Sequence, residues 1–247
     1  MTSSTAQANT GPISTGAYNL VPLNNNSHKN LKVRRDFSFP HSKTQQLVPV
    51  TPNEIIKAAS CYPVCFIKDQ QTKHFKLAAI LGTDASENLF YSPAGWNAPY
   101  IPLHIQKSPF AIATREDGSC LIAIDTQSQY CSELEGEPLF DGRGEETPAL
   151  TGIRELCEHL TQQEQLAINF INDINELGLL TQHKLRYSLA SGEKKELTGL
   201  YSVDEELLKS LPGEQLLSLY KKGYLKLIHA HLMSLGQFSR LFQLKKS

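Results

Sequence analysis

At 247 residues with 40% hydrophobic side chains, the chain is long enough to bury a sizeable core as one large domain or two small ones. A formal net charge of -1 excludes the bulk attraction to nucleic acid or anionic lipid that clustered Lys and Arg provide, so no nucleic-acid partner is expected. No run of about 18 apolar residues occurs, which excludes insertion into a membrane by a spanning helix.

In chain order, residues 1–30 are rich in Ser, Thr, Asn and Gly, cannot repay the entropy of ordering, and are expected to form a flexible arm, free or draped over the body. The start, Met1-Thr2-Ser3-Ser4, has neither the basic nor the apolar region of a secretory leader, so a cytoplasmic location is expected. Residues 31–145 form a β-rich portion. Within it, Thr51-Pro52-Asn53-Glu54 puts a hydroxyl at the N-cap, proline at N1 and glutamate at N3, opening a short helix to Ala59. Strand patterning follows at 64–67, 75–81, 89–91, 110–114 and 121–124, with Asp117-Gly118 as a tight hairpin turn between the last two.

Residues 146–247 change period and are expected to be mainly helical, packed on the sheet within one compact domain. Thr147-Pro148 starts a helix to about Leu160, and Thr161-Gln162-Gln163-Glu164 is a second capping box before Leu166, Phe170, Ile171, Ile174 and Leu177, ended by Gly178. The two read as an antiparallel helical hairpin. Residues 185–187 and 197–201 flank Ser191-Gly192 as a small β-hairpin. Ser202-Val203-Asp204-Glu205 caps another helix, interrupted at Leu211-Pro212-Gly213 and resumed over 214–222. A last helix over 224–242 places Leu225, Ile228, Leu232 and Leu235 on one face. The expected fold class is α+β, a central antiparallel sheet followed by a mainly helical C-terminal portion.

The most distinctive stretch runs from Asn88 to Pro102, Asn-Leu-Phe-Tyr-Ser-Pro-Ala-Gly-Trp-Asn-Ala-Pro-Tyr-Ile-Pro, and holds the sole Trp. Around it lie Asp36-Phe37-Ser38-Phe39, Val48-Pro49-Val50, Glu54, Tyr62-Pro63-Val64, Pro109-Phe110, Ile124-Asp125, Pro138-Leu139-Phe140-Asp141, Leu177-Gly178-Leu179-Leu180, Gly199-Leu200 and His231-Leu232 with Ser234-Leu235. In this order, from about Asp36 to the end, they resemble the SapC-like family of bacterial proteins, named after a surface-layer-associated protein. Many members carry a basic pair before Pro-Phe where this chain has Gln106-Lys107, so no arginine role carries over there. The resemblance implies an accessory setting beside TonB-dependent receptors and tryptophan-halogenase-like flavoproteins. Its implied partners are a small molecule or peptide taken up from outside and a flavin-dependent halogenase-like or other operon-encoded protein. A second copy of the chain is a further option.

The aromatics Trp96, Tyr100 and Phe110 can build an apolar pocket with Asn88, Asn97 and His104 as polar handles and Asp125 as an acidic strand end; these seven are the candidate ligand-binding residues. The competing reading is that the prolines stiffen a loop while the aromatics plug the end of a sheet. His104, Asp125, Asp141, His229 and His231 are the available metal or acid-base groups. They lack ligand spacing, and His229 and His231 lie about 200° apart on a helix, so neither a metal nor a cofactor is expected. No nucleophile elbow, phosphate loop or dinucleotide fingerprint occurs. Five Cys, at 61, 65, 120, 131 and 157, form no zinc-like doublets and read as buried thiols in a reducing compartment. The leading functional reading is therefore a binding or accessory protein. The alternative is an enzyme with its site around Asn88, Trp96, Tyr100, His104 and Asp125, and last comes a structural surface-layer component.

Overall fold

The computed structural model describes residues 4–7, 19–114, 120–189 and 191–246. The chain opens with β1 (Ser4–Gln7), β2 (Leu20–Pro22), β3 (Lys32–Val33), β4 (Leu47–Pro49), helix α1 (Ile55–Ala59) and the pair β5 (Val64–Lys68) and β6 (Phe75–Ile80). Next come β7 (Tyr91–Ser92), β8 (Gly95–Trp96), the short helix α2 (Leu103–Gln106), β9 (Phe110–Thr114), β10 (Cys120–Asp125), β11 (Cys131–Ser132) and β12 (Glu137–Pro138). Helix α3 (Pro148–Glu176) leads into β13 (Leu180–Ser188), β14 (Lys194–Val203), α4 (Glu205–Lys209), α5 (Gly213–Lys221), α6 (Tyr224–Ser234) and α7 (Phe238–Lys246). The fold is α+β, as the patterning predicts.

The main sheet runs β1-β14-β5-β6-β4 with β13 on the other side of β14, antiparallel except for β1, which lies parallel to Lys195–Thr198. Val64 through Ile67 are all buried, so this central strand carries an unbroken apolar run instead of alternating. The expected small hairpin is longer than its sequence signal. β13 and β14 pair from Leu180 with Val203 to Ser188 with Lys194, across a register shift at which Gly199, at φ 83°, absorbs the extra residue as only glycine does cheaply. Two smaller sheets, β2-β10-β9 and β11-β3-β12, surround a second core of Phe110, Ile122, Ile124, Leu139, Phe140 and Leu150. Leu20–Pro22, from the stretch read as an arm, pairs with β10, and Val21 and Leu23 pack on that second core. The expected Asp117-Gly118 turn lies outside the described residues, although the strands it joins pair as expected.

The helical hairpin predicted over 148–177 is instead one helix of 29 residues, about 43 Å long by its rise per residue. Thr161, expected as an N-cap, is mid-helix and turns its hydroxyl back onto the Cys157 carbonyl at 3.0 Å. Nothing between Leu160 and Gln165 breaks a helix, and the continuous rod buries Leu150 in the second core and Phe170, Ile171 and Ile174 in the first. Gly178 follows its end at φ 68°, as expected. Two other boundaries differ. Asp204, not Ser202, caps α4, accepting from Glu206 N and Leu207 N, while Ser202 is buried in the strand. The last predicted helix is split by a 3-10 turn at Leu235–Gln237, and its most buried line is Ile228, His231, Ser234, Phe238 and Leu241. His231 donates from Nδ1 to Val64 O at 2.7 Å and accepts Val203 N–H on Nε2 at 3.1 Å, so it stitches α6 to β5 and β14. Among the described residues no helix is long and apolar enough to cross a membrane.

Candidate functional site

The aromatic and proline segment is held from below. Trp96 Nε1 donates to the Tyr62 hydroxyl at 2.7 Å, and that hydroxyl donates in turn to the Tyr100 carbonyl. The Tyr100 hydroxyl reaches Glu54 Oε1 at 2.7 Å, beside Leu103 N at 2.8 Å, while Glu54 Oε2 takes the backbone N–H and the hydroxyl of Thr51 at 3.1 and 2.8 Å. Glu54 is 2% exposed, and a carboxyl group so buried is tolerable only with its oxygens engaged in this way. Half of the expected capping box is thus present, with Glu54 reaching back to Thr51. The Thr51 hydroxyl donates to that glutamate instead of accepting from the helix. Burial pushes the Tyr62 and Tyr100 hydroxyls well above the ordinary phenol range, and the Glu54 partner adds to the rise at Tyr100. Arg240 of α7 donates to Asn97 O at 2.7 Å and lies over the Phe90 ring, closing the segment from the far side.

Above this platform is a cleft of about 510 Å³. One wall is the turn from Val33 to His41, which presents Phe37 and Phe39; the second is Pro99, Tyr100 and Ile101; the third is the start of α3, with Pro148, Ala149, Gly152, Ile153 and Leu156; Phe110 and Leu139 also line it. Asp36 shapes the first wall by accepting Ser38 N and Oγ at 2.9 and 2.6 Å, bonds that hold its carboxyl below the usual carboxylate range. Phe39 there adopts the left-handed conformation at φ 55°, a strained backbone for a bulky side chain. His41 spans the walls, with Nε2 donating to Ile105 O at 3.1 Å and Nδ1 accepting from the Tyr130 hydroxyl at 2.8 Å. A carbonyl can only accept, which fixes that tautomer, and burial brings the His41 pKa down to about 4. Arg35, paired with Glu137 at 3.1 Å, and Arg34, held by Gln129 O at 2.8 Å, are the charged lip. The residues can therefore hold an apolar body between aromatic walls and meet a polar group at the mouth.

Of the seven sequence candidates, Tyr100 and Phe110 line this cleft. The others lie elsewhere. Asn88 is buried, donating to Ser42 O at 2.9 Å and accepting Phe90 N at 2.9 Å, and so shapes the loop. Trp96 packs edge-on to Phe39 behind the wall, and Asn97 is exposed beside Arg240. His104, on α2, has its pKa brought down to about 4 by burial and by Lys107, and Asp125 caps its own turn through Gln127 N at 3.2 Å. Of the five groups of the expected enzyme site, Tyr100 lines this cleft. Sequence reasoning missed Arg34, Arg35, His41, Tyr130 and Gly152. Only Gly152 carried a local signal, a glycine inside a helical pattern, because the His41–Tyr130 pair joins positions 89 apart. Four of the stretches that carry the family resemblance, around Asp36–Phe39, Tyr100–Ile101, Pro109-Phe110 and Leu139, meet at this cleft.

The thiols of Cys61, Cys65, Cys131 and Cys157 are free, and burial raises those of Cys65, Cys157 and Cys131, the last to about 11. Cys61 follows α1 and Cys65 lies in β5. No curated protein and no solved structure matches the chain. The SapC family model matches residues 23–241, most of the chain and every wall of the cleft, so the chain belongs to the SapC family.

Proposed function

We propose that this chain is a binding or accessory protein that takes a small molecule or peptide into the cleft between the 33–41 turn, the Tyr100 segment and the start of α3. One observation carries the reading. A cleft of about 510 Å³, within the range typical of ligand pockets, gathers Phe37, Phe39, Tyr100 and Phe110 around a few placed polar groups. Phe37 supports it further, being 71% exposed at the lip, where a large apolar side chain has no folding role. The setting beside TonB-dependent uptake and halogenase-like flavoenzymes is part of the proposal and rests on family membership alone. A reducing compartment, the cytoplasm, fits the free thiols of Cys61, Cys65, Cys131 and Cys157.

The test is extraction of bound small molecules and peptides from wild-type protein and from Phe37→Ala, both purified from the native host and analysed by mass spectrometry. A compound enriched with the wild type and lost with the variant is the expected result. Identical extracts from the two proteins would remove the cleft as the binding site.

A further inference from the structure

We propose that Gly152 determines which group the cleft accepts, leaving a slot in its wall that fits a planar apolar ring; this rests on the reading of the cleft as a binding site. Gly152 lies in the first turns of α3, where glycine is less favourable than alanine by about 1 kcal/mol. Two structural reasons ordinarily excuse a helical glycine, a positive φ or a neighbour too close for a Cβ, and neither applies. Its φ is not positive, and an added Cβ would meet nothing within 4 Å. Elsewhere the chain shows what a packing glycine looks like: at Gly82 a Cβ would fall 2.2 Å from the Glu87 carbonyl oxygen, and at Gly136 it would fall 2.7 Å from Val33 backbone. Gly152 is exposed and lines the cleft, so the space before it opens onto the cleft.

The geometry of the walls names the ligand class. Ala149 and Gly152, three residues apart, lie on neighbouring surface of the helix and together leave it nearly flat, between the bulkier Pro148 and Leu156. Other walls supply the rings of Phe37, Phe39 and Tyr100. A flat helix surface facing aromatic rings suits a planar ring, which gains dispersion and ring-edge contacts there that a branched chain does not.

The probe is 8-anilinonaphthalene-1-sulfonate, an anionic dye whose planar naphthalene ring makes it fluoresce on entering an apolar site. It is titrated into wild type, Gly152→Ala, Gly152→Phe, Phe37→Ala and the control Gly213→Ala, with a thermal midpoint for each. Gly213 opens α5, away from the cleft, and a Cβ there also meets nothing within 4 Å. Saturable binding to wild type and to the control is expected. Gly152→Phe should weaken it by about tenfold or more and Gly152→Ala by about threefold, with the midpoint kept or raised, because the new side chain fills the slot. Wild-type affinity in folded Gly152→Phe, with binding lost in Phe37→Ala, overturns the role of Gly152 and leaves the cleft reading intact. If Gly152→Phe fails to fold, unchanged affinity in Gly152→Ala overturns it equally. No binding to wild type, or no change in either Phe37→Ala or Gly152→Phe, sinks the cleft reading and the inference together.

Discussion

Two aromatic residues of one cleft illustrate how position decides energetic weight. Phe37 is 71% exposed, so Phe37→Ala should stay within about 0.5 kcal/mol of wild-type stability in urea unfolding, as surface changes do. Tyr100→Phe removes no ring. It leaves Glu54 Oε1 with one donor fewer in a site 2% exposed, which should cost about 1 to 3 kcal/mol. Equal loss from the two variants would contradict this account of the platform beneath the cleft. Gly152→Ala should move the other way and raise stability by about 0.5 to 1 kcal/mol, since alanine fits the helix without strain and restricts the unfolded chain. A destabilised Gly152→Ala would mean that the space before it is occupied in the folded protein. Among these residues, Tyr100 was legible from its sequence setting. Glu54 was legible as a helix signal, yet its bond to Tyr100 spans 46 positions and no local pattern carries that.

At the scale of elements, α3 is where local signals mislead. Thr161-Gln162-Gln163-Glu164 has the residues of a capping box, but Gln and Glu are good helix formers, and no Gly or Pro stands there to stop the helix arriving from Pro148. One helix then spans both cores, which two helices folded back on each other could not do. Gln162→Pro separates the alternatives. At the first position of a second helix it would be tolerated, whereas in the continuous helix it should cost about 3 kcal/mol or more. A thermal midpoint unchanged by the substitution would restore the hairpin. The stripe of the last helix shows a milder form of the same problem. Leu225, Leu232 and Leu235 are only partly buried, whereas His231 and Ser234 are fully buried, because the surface they meet offers the Val64 peptide group as well as apolar side chains.

For the molecule as a whole, three histidines tie stability to pH. His41, His104 and His231 each have their pKa brought down from 6.5 to about 4, chiefly by burial of the ring. In the unfolded chain each takes up a proton near pH 6.5, while in the folded chain each stays neutral to about pH 4. Their contribution is therefore whole above pH 6.5 and is lost as the pH falls from 6.5 to 4. Three protons taken up on unfolding give a slope of up to about 4 kcal/mol per pH unit near pH 5. Urea titrations between pH 8 and pH 5 check the sign and the size. Stability that is flat or rises over that interval would mean these rings are charged in the folded protein.

By itself, the sequence determined the α+β class, about half of the described strands and most of the described helices, the stop at Gly178 and the break at Pro212, because periodicity, caps and turn residues act over a few neighbours. It also singled out Tyr100 and Phe110. Tertiary structure alone decided that Leu20–Pro22 is a strand and that α3 is unbroken. It alone also decided that Asn88 and Trp96 turn inward while Arg35, His41, Tyr130 and Gly152 surround or brace an open cleft. Those outcomes depend on which distant backbone groups and side chains are left to be satisfied once the sheets have formed. His41 meets Tyr130 and Ile105 only after the 33–41 turn has been laid against α2, and no window of neighbouring residues contains that contact.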